Sequence, residues 1–215
     1  MSVTKFYIIR HGESLGNYKS IFLGHTDWDI TELGYKQADM TAEALKDVHF
    51  DAIYSSDLIR AYNTAVPHAK LRDMTINKSC ELREIYAGEW DGKSKDEIIN
   101  GWGELFTRDW RECFGTFTIP GGESVLGAGN RFEKTLRSIA EANEGLTVLI
   151  VSHAAVIRSF YSKISGFKPE EYAEKLWFPS NASYSLVEYE NGNFKPIFYS
   201  EDKHMGDFVT KISYK

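Results

Sequence analysis

Apolar positions along the chain follow two periods that take turns. Short apolar runs read as strands at Lys5 to Arg10, Phe50 to Ser55, Leu146 to Val151 and, more weakly, Met74 to Ser79. The run from Leu146 is uninterrupted, the pattern of a strand buried on both faces. Between these runs the period lengthens to that of a helix. From Thr31 to Lys46 the apolar residues Leu33, Ala38, Ala42 and Leu45 recur near helical spacing, with Thr31 placed to cap and Glu32 in the first turn. A second helix is predicted from Asp57 to about Ala69, capped by Ser56. A third runs from Ala154 to Ser165 and turns Val156, Ile157, Phe160, Tyr161 and Ile164 inward. Two late runs, Tyr184 to Tyr189 and Phe194 to Tyr199, flank Glu190-Asn191-Gly192-Asn193, a hairpin-type turn.

Strands alternating with helices predict an α/β fold. The expectation is a three-layer αβα sandwich with a mostly parallel central sheet, helices on both faces and an antiparallel pair at one side. The stretch from Ser94 to Asn143 breaks the rhythm. Ser94-Lys95-Asp96-Glu97 has the form of a capping box opening a short helix. Val125, Phe132, Leu136 and Ile139 fall at helical spacing between Gly122 and Asn143, and Trp102, Phe106, Trp110, Phe114 and Phe117 lie between the two. This region, approximately 89–143, reads as a helical cap inserted into a single domain spanning 1–215. Most of its aromatics read as the cap's own core.

A length of 215 residues fits one domain, and 42% hydrophobic residues supply a core for it. A net charge of -6 argues against a general nucleic-acid binder, so an anionic ligand needs a local positive pocket. No run approaches the ~20 apolar residues of a membrane helix, and Met-Ser-Val-Thr-Lys lacks the apolar core of a signal peptide. Cys80 and Cys113 are far apart and expected to be small buried or half-buried thiols, which suits a reducing cytoplasm. No pattern fixes an oligomeric state.

Candidate chemistry gathers at strand ends. In open α/β sheets ligands bind beyond the carboxyl ends of the strands. The first strand ends at Arg10-His11-Gly12, where the glycine is expected to permit a sharp turn. The second leads through Ser55-Ser56 into a helix bearing Arg60, and the strand at Leu146 ends at Ser152-His153-Ala154. Two histidines and two arginines then converge, which suits a phosphoryl group. Guanidinium forks match phosphate oxygens, and Arg60, in the first turn of its helix, leans toward the sheet edge. The helix starting at Ala154 aims backbone N–H groups at the same place. His11 could attack phosphorus as the neutral imidazole, a protonated His153 would add positive charge, and Asn17 could complete the pocket. The bland readings differ by residue. Arg60 could simply pair with Asp57 on the surface, and His25, His49, His68 and His204 read as ordinary surface or core residues. No HxH, HExxH or Asp-rich spacing supports a metal site. No metal or organic cofactor is expected, because arginine and histidine already supply the positive charge.

A longer set of motifs runs in order along the chain. It comprises Phe6-Tyr7-Ile8-Ile9-Arg10-His11-Gly12-Glu13-Ser14 with Asn17, Gly24-His25-Thr26-Asp27, and Thr31-Glu32-Leu33-Gly34. It continues with Phe50 to Leu58 and Arg60-Ala61, Leu82-Arg83-Glu84, Gly88-Glu89-Trp90-Asp91-Gly92, Pro120-Gly121-Gly122-Glu123-Ser124 and Val151-Ser152-His153. In these motifs the sequence resembles the histidine phosphatase superfamily, in the branch of cofactor-dependent phosphoglycerate mutases and related phosphatases. The resemblance implies that His11 is the phosphorylated nucleophile and that Arg10, Arg60, His153 and Asn17 bind the phosphoryl group. It further implies that Glu84 is the general acid and then the base that activates water. The residues alone do not separate Glu84 from Glu81 and Glu89; the Leu-x-Glu match does. In the acid-phosphatase branch an aspartate follows the second histidine and serves as the acid. Here Ala154 follows His153, so the acid comes from elsewhere. Ser14, Gly24 and Ala154 are taken as further substrate-binding positions, with Arg83 as the nearest added cation.

The phosphoglycerate mutases of that branch resemble one another in a longer insert with a basic Trp-Arg-Arg segment and a proline run. This chain has Trp110-Arg111-Glu112 and no proline run. The cap region offers only Lys93, Lys95, Arg108 and Arg111 as cations, among aromatics. The expected function is therefore a metal-independent phosphatase of small-molecule phosphomonoesters, with Trp90, Trp102, Trp110 or Phe22 touching the leaving group. The alternatives are mutase-type phosphoryl transfer and a catalytically weak module that binds a phospho-ligand.

Overall fold

A computed structural model describes residues 2–210. The strands are β1 (Thr4–Arg10), β2 (Ala52–Ser56), β3 (Ile76–Ser79), β4 (Thr147–Ser152), β5 (Tyr184–Glu190) and β6 (Asn193–Glu201). The helices are α1 (Leu15–Lys19), α2 (Glu32–Ala44), α3 (Ile59–Lys70), α4 (Lys95–Trp102), α5 (Trp110–Glu112), α6 (Val125–Ala142), α7 (Ala154–Ile164) and α8 (Tyr172–Lys175). The strands form one sheet in the order β3-β2-β4-β1-β5-β6. Four of them are parallel, and β5 and β6 join the β1 side in antiparallel fashion.

Alternation along the central strands builds the three layers. Phe6, Ile8, Val148 and Ile150 enter one core with Phe132, Leu136 and Phe160 of α6 and α7. Ile9, Ile53, Leu149 and Val151 enter the other with Leu45, Ala61 and Ala65 around α2 and α3. Both faces of β1 and β4 are thus covered, which is why these strands read as unbroken apolar runs. Each such side chain, fully buried, contributes about 1.5–3 kcal/mol relative to exposure.

The structure differs from the sequence reading in four places. First, α3 starts at Ile59, because Asp57 gives its carboxylate to Arg83 and Leu58 is extended and buried. Its first amide is capped by Asp27 (Ile59 N to Asp27 Oδ1, 2.7 Å), and Ser56 Oγ accepts only from Leu58 N at 3.3 Å. Second, α6 is a layer helix rather than part of the cap. It lies along α7, with Phe132 and Phe160 edge to face at 5.4 Å. Third, α1 and α8 were not predicted, being too short to carry a period. Fourth, Cys80 and Cys113 are exposed and unpaired, not buried. Cys80 follows the edge strand β3, and Cys113 follows α5 on the outside of the cap. The cap aromatics do form a core: Trp90 meets Phe22, Phe106, Trp110 and Phe117 at ring separations of 5.4–5.9 Å. Among the described residues no helix is long and apolar enough to cross a membrane.

Candidate active site

Sheet register brings the two histidines together. β1 and β4 are parallel neighbours with Arg10 opposite Ser152, so the next residue on each strand, His11 and His153, stands side by side beyond the sheet edge. Their rings lie 5.2 Å apart in an edge-on arrangement. His11 N donates to the Ser152 carbonyl at 2.9 Å, carrying the pairing one step further. Gly12 is needed here for space rather than for the turn expected of it: a Cβ would sit 2.5 Å from the Gly34 carbonyl oxygen. Its N–H is held by Thr64 Oγ1 (2.9 Å), which itself donates to the Arg60 carbonyl (2.7 Å), locking the loop to α3.

His11 Nδ1 donates to the Gly12 carbonyl at 2.7 Å, which leaves Nε2 as the ring's lone-pair nitrogen. Burial, with Arg60 and Arg10 nearby, holds His11 well below the usual histidine range, so it is neutral. His153 is fully buried and is also pushed well below that range, by burial first and then by Arg60 and His11. The cationic His153 considered from sequence is therefore neutral in the free protein. Neither of its ring nitrogens has a partner among the described residues. Buried polar groups are normally paired, and a phosphoryl oxygen would provide that partner.

Arg60 does not pair with Asp57. Its Nη2 donates to the Gly24 carbonyl at 2.7 Å and its Nη1 to the Thr26 carbonyl at 2.9 Å. That loop is itself fixed by Asp91, whose carboxylate accepts from the amides of Gly24 (2.8 Å), His25 (3.0 Å) and Thr26 (3.0 Å). Burial pushes Arg60 down to about 10, which leaves it charged at neutral pH. Arg10 is 1% exposed and donates from Nη1 to the Pro179 carbonyl at 2.6 Å.

Glu84 lies in the turn after β3 and is buried. The Ala155 and Val156 amides, which the sequence reading aimed at phosphate, are turned to Glu84 instead. Ala155 N donates to Oε2 at 3.1 Å and Val156 N to Oε1 at 3.3 Å, while Ile85 N reaches Oε1 at 2.9 Å. A carboxylate at a helix N-terminus is favoured by the exposed amides and the helix dipole.

Arg10, His11, Ser14, Asn17, Arg60, Glu84 and Ala154 line a cleft of about 240 Å³. Ser14 caps α1 and accepts from Asn17 N, while Asn17 Oδ1 accepts from Ser14 N. His153 is fully buried beside His11 and does not itself line the cleft. Gly24 and Arg83 do not line the cleft. Gly24 braces Arg60, and Arg83 grips Asp57 through two bonds of 2.7 and 2.6 Å. Of the four aromatics expected near the leaving group, Phe22 and Trp110 line the wall, joined by Phe106 and Phe178. Trp90 is buried behind Phe22, and Trp102 lies outside the lining with Lys93 over its ring. The sequence reading missed Asn181. Its Nδ2 donates to the His11 carbonyl (3.1 Å) and to Asn17 Oδ1 (3.0 Å), from a loop that carries no motif. Of the histidines read as ordinary, His25 adjoins the site through the Glu84 carbonyl (3.0 Å), His68 is core and His49 is solvent-exposed. No group of three or more His, Cys, Asp or Glu gathers for a metal among the described residues.

Two neutral histidines, two buried arginines and a helix-held carboxylate gathered at the edge of a mostly parallel sheet form a site suited to a phosphoryl group. The chain belongs to the histidine phosphatase superfamily (branch 1), which it matches over residues 6–202. It is 32% identical over 211 residues to phosphoserine phosphatase 1 of Hydrogenobacter thermophilus, covering 97% of this chain and 98% of that one. It is 34% identical to the 2,3-bisphosphoglycerate-dependent phosphoglycerate mutase of Bartonella tribocorum, covering 76% of this chain and 82% of that one. Among solved structures, YhfR of Bacillus stearothermophilus superposes with a TM-score of 0.85 at 28% identity, covering 94% of this chain and 98% of that one. A phosphohistidine mechanism is typical of this family, and the chain's relatives include both a phosphatase and a mutase.

Proposed function

We propose that His11 is the residue phosphorylated and that Glu84 serves as acid and then base. Nε2 of His11 attacks phosphorus, the bond from phosphorus to the leaving oxygen breaks, and Glu84 gives that oxygen its proton. In the second half a water gives a proton to Glu84 while its oxygen attacks phosphorus. The P–N bond breaks, inorganic phosphate leaves and His11 returns to the neutral imidazole. Arg10, Arg60 and His153 stabilise the charge on the phosphoryl oxygens, with donors fixed before substrate arrives. The observation that carries this reading is the hydrogen bond from His11 Nδ1 to the Gly12 carbonyl, which frees Nε2 in a cleft that also holds the Glu84 carboxylate.

Hydrolysis rather than isomerisation is supported by the cleft's outer wall. A mutase must hold a second anionic group. Among the described residues the cations lining this cleft are Arg10, Arg60 and Lys95, set against Phe22, Phe106, Trp110 and Phe178. Arg108 instead meets Glu104 and Asp109 on the surface. We further place the protein in a reducing compartment such as the cytoplasm, which its two exposed, unpaired thiols support. The substrate class is a small organic phosphomonoester. The test is a steady-state panel of O-phosphoserine, p-nitrophenyl phosphate and alkyl phosphates, run beside 3-phosphoglycerate with its bisphosphate primer. Release of inorganic phosphate from the monoesters is expected. Efficient isomerisation with negligible hydrolysis would overturn the phosphatase reading, and binding without turnover would leave only the ligand-binding module.

A further inference from the structure

The turn that carries Glu84 has no regular secondary structure beyond the short 3-10 turn Cys80–Leu82, yet its backbone is gripped at nearly every residue. Arg131, on α6, makes most of the grip. Its Nη1 donates to the carbonyls of Glu81 (2.8 Å) and Arg83 (3.1 Å), and its Nη2 donates to the carbonyl of Glu84 (3.1 Å). The remaining donors go to Glu123, with Nε to Oε1 at 3.1 Å and Nη2 to Oε2 at 2.9 Å. All five N–H groups of the guanidinium are therefore used, in a fork that lysine cannot reproduce. Glu123 holds the far end of the same turn, accepting from Tyr86 N at 3.2 Å, while its own N–H donates to the Tyr86 carbonyl at 2.9 Å. Ser152 Oγ takes the Leu82 carbonyl at 2.7 Å. Arg131 does not line the cleft and touches no reacting atom.

We propose that Arg131, oriented by Glu123, is a positioning residue that sets the general acid. By holding three carbonyls of residues 81–84, it fixes where the Glu84 side chain leaves the backbone, and hence where its carboxyl meets the leaving oxygen. This rests on the assignment of Glu84 as the acid. General acid catalysis depends on sub-ångström placement of the proton donor. Loosening the turn should therefore damage leaving-group protonation selectively, while phosphoryl binding by Arg10 and Arg60, held on β1 and α3, is kept.

The experiment compares wild type, Arg131→Met, Arg131→Lys, Glu123→Gln, Glu84→Gln and the double variant Arg131→Met/Glu84→Gln. Each is assayed on an alkyl phosphate, whose leaving oxygen needs a proton, and on p-nitrophenyl phosphate, whose leaving group needs little help. Arg131→Met is expected to lower kcat on the alkyl phosphate by ~10- to 100-fold, part of the ~10²–10⁴ that a general acid supplies. Its effect on p-nitrophenyl phosphate should be several-fold smaller, with vanadate affinity changed by less than about threefold. Arg131→Lys should recover part of the loss, and Glu123→Gln should show a milder form of the same pattern even if Arg131→Met folds poorly. In the Glu84→Gln background the Arg131 substitution should cost almost nothing more. Equal losses on both substrates, or losses that add to those of Glu84→Gln, would make Arg131 a merely structural residue and overturn the proposal. If Glu84→Gln itself spared the alkyl phosphate, the assignment of the acid would fail first, and that result is distinct from a failure of Arg131 alone.

Discussion

Replacing Arg60 with lysine separates the two things the burial of this residue provides. The guanidinium is braced by the carbonyls of Gly24 (2.7 Å) and Thr26 (2.9 Å) and still offers donors to the phosphoryl oxygens. A single ammonium cannot keep both braces and the substrate contact. Losing one charge-assisted hydrogen bond costs about 1.5–3 kcal/mol, a fall of ~10- to 150-fold in kcat/KM. The second effect is one of charge. Burial holds Arg60 at about 10, which keeps the wild-type site cationic over the working range. A lysine starts about two pH units below an arginine, so the same dry setting would strip its proton near pH ~8. Because kcat/KM reports ionisations of the free enzyme, Arg60→Lys should show a new alkaline limb centred near pH ~8, with about tenfold loss per pH unit beyond it. Wild type should stay flat to beyond pH ~9, the range in which Arg60 remains charged. The assay is kcat/KM on p-nitrophenyl phosphate across the neutral and alkaline range for both proteins. A lysine profile that runs parallel to wild type throughout would refute the reasoning, since it would mean that the ammonium stays charged and solvated where the site is supposed to be dry.

Further predictions concern residues away from the reacting atoms. Asp91→Asn turns an NH₂ toward amides that now donate to a carboxylate, at a cost of about 1.5–3 kcal/mol. Melting temperature and kcat/KM (by ~10-fold) should both fall as the 24–26 loop loosens under Arg60, and unchanged values for both would contradict the brace. His68 is fully buried without partners for its ring nitrogens, and burial pushes it down to about 3. It is neutral in the fold and protonates near pH ~6.5 when unfolded. Its contribution is therefore complete above pH ~6.5 and is lost as pH falls toward 3. His68→Leu should then lose less stability than wild type between about pH 6.5 and 4.5, by about 2–3 kcal/mol in urea melts; equal losses would show that His68 carries no such linkage. Turnover should survive a metal chelator unchanged, and a loss restored by a divalent ion would overturn the assignment of all the positive charge to arginine and histidine.

Much of this site was legible because its residues sit one step past uninterrupted apolar runs. β1 and β4 announce themselves as strands buried on both faces, and their parallel register then forces His11 beside His153. What resisted reading was support that arrives from far along the chain. Asp91 braces the Gly24 amide 67 residues away, Asn181 reaches the His11 carbonyl from 170 residues away, and Asp27 caps α3 across 32. Asp27 and Asp91 lie inside motifs and Asn181 in none, but in each case the partner stayed hidden, since a side chain bonded to distant backbone leaves no pattern in its own neighbourhood. The amides of α7 illustrate a different limit. Their position was predictable, but whether they meet a ligand or a carboxylate depended on where the turn after β3 was laid down. The role of α6 was hidden for a related reason. Its helical period was plain, whereas the partner it packs on is set by sheet order and not by sequence neighbours.

The most direct measurement is to trap the intermediate. Enzyme mixed rapidly with a ³²P-labelled phosphomonoester, quenched in alkali and digested should yield a peptide phosphorylated on His11, with a linkage stable to base and lost in acid. Glu84→Gln should slow formation and breakdown of that species on an alkyl substrate, and His11→Ala should not form it. Turnover by wild type with no such phosphopeptide, or label carried by His153 or a serine instead, would contradict the account at its centre.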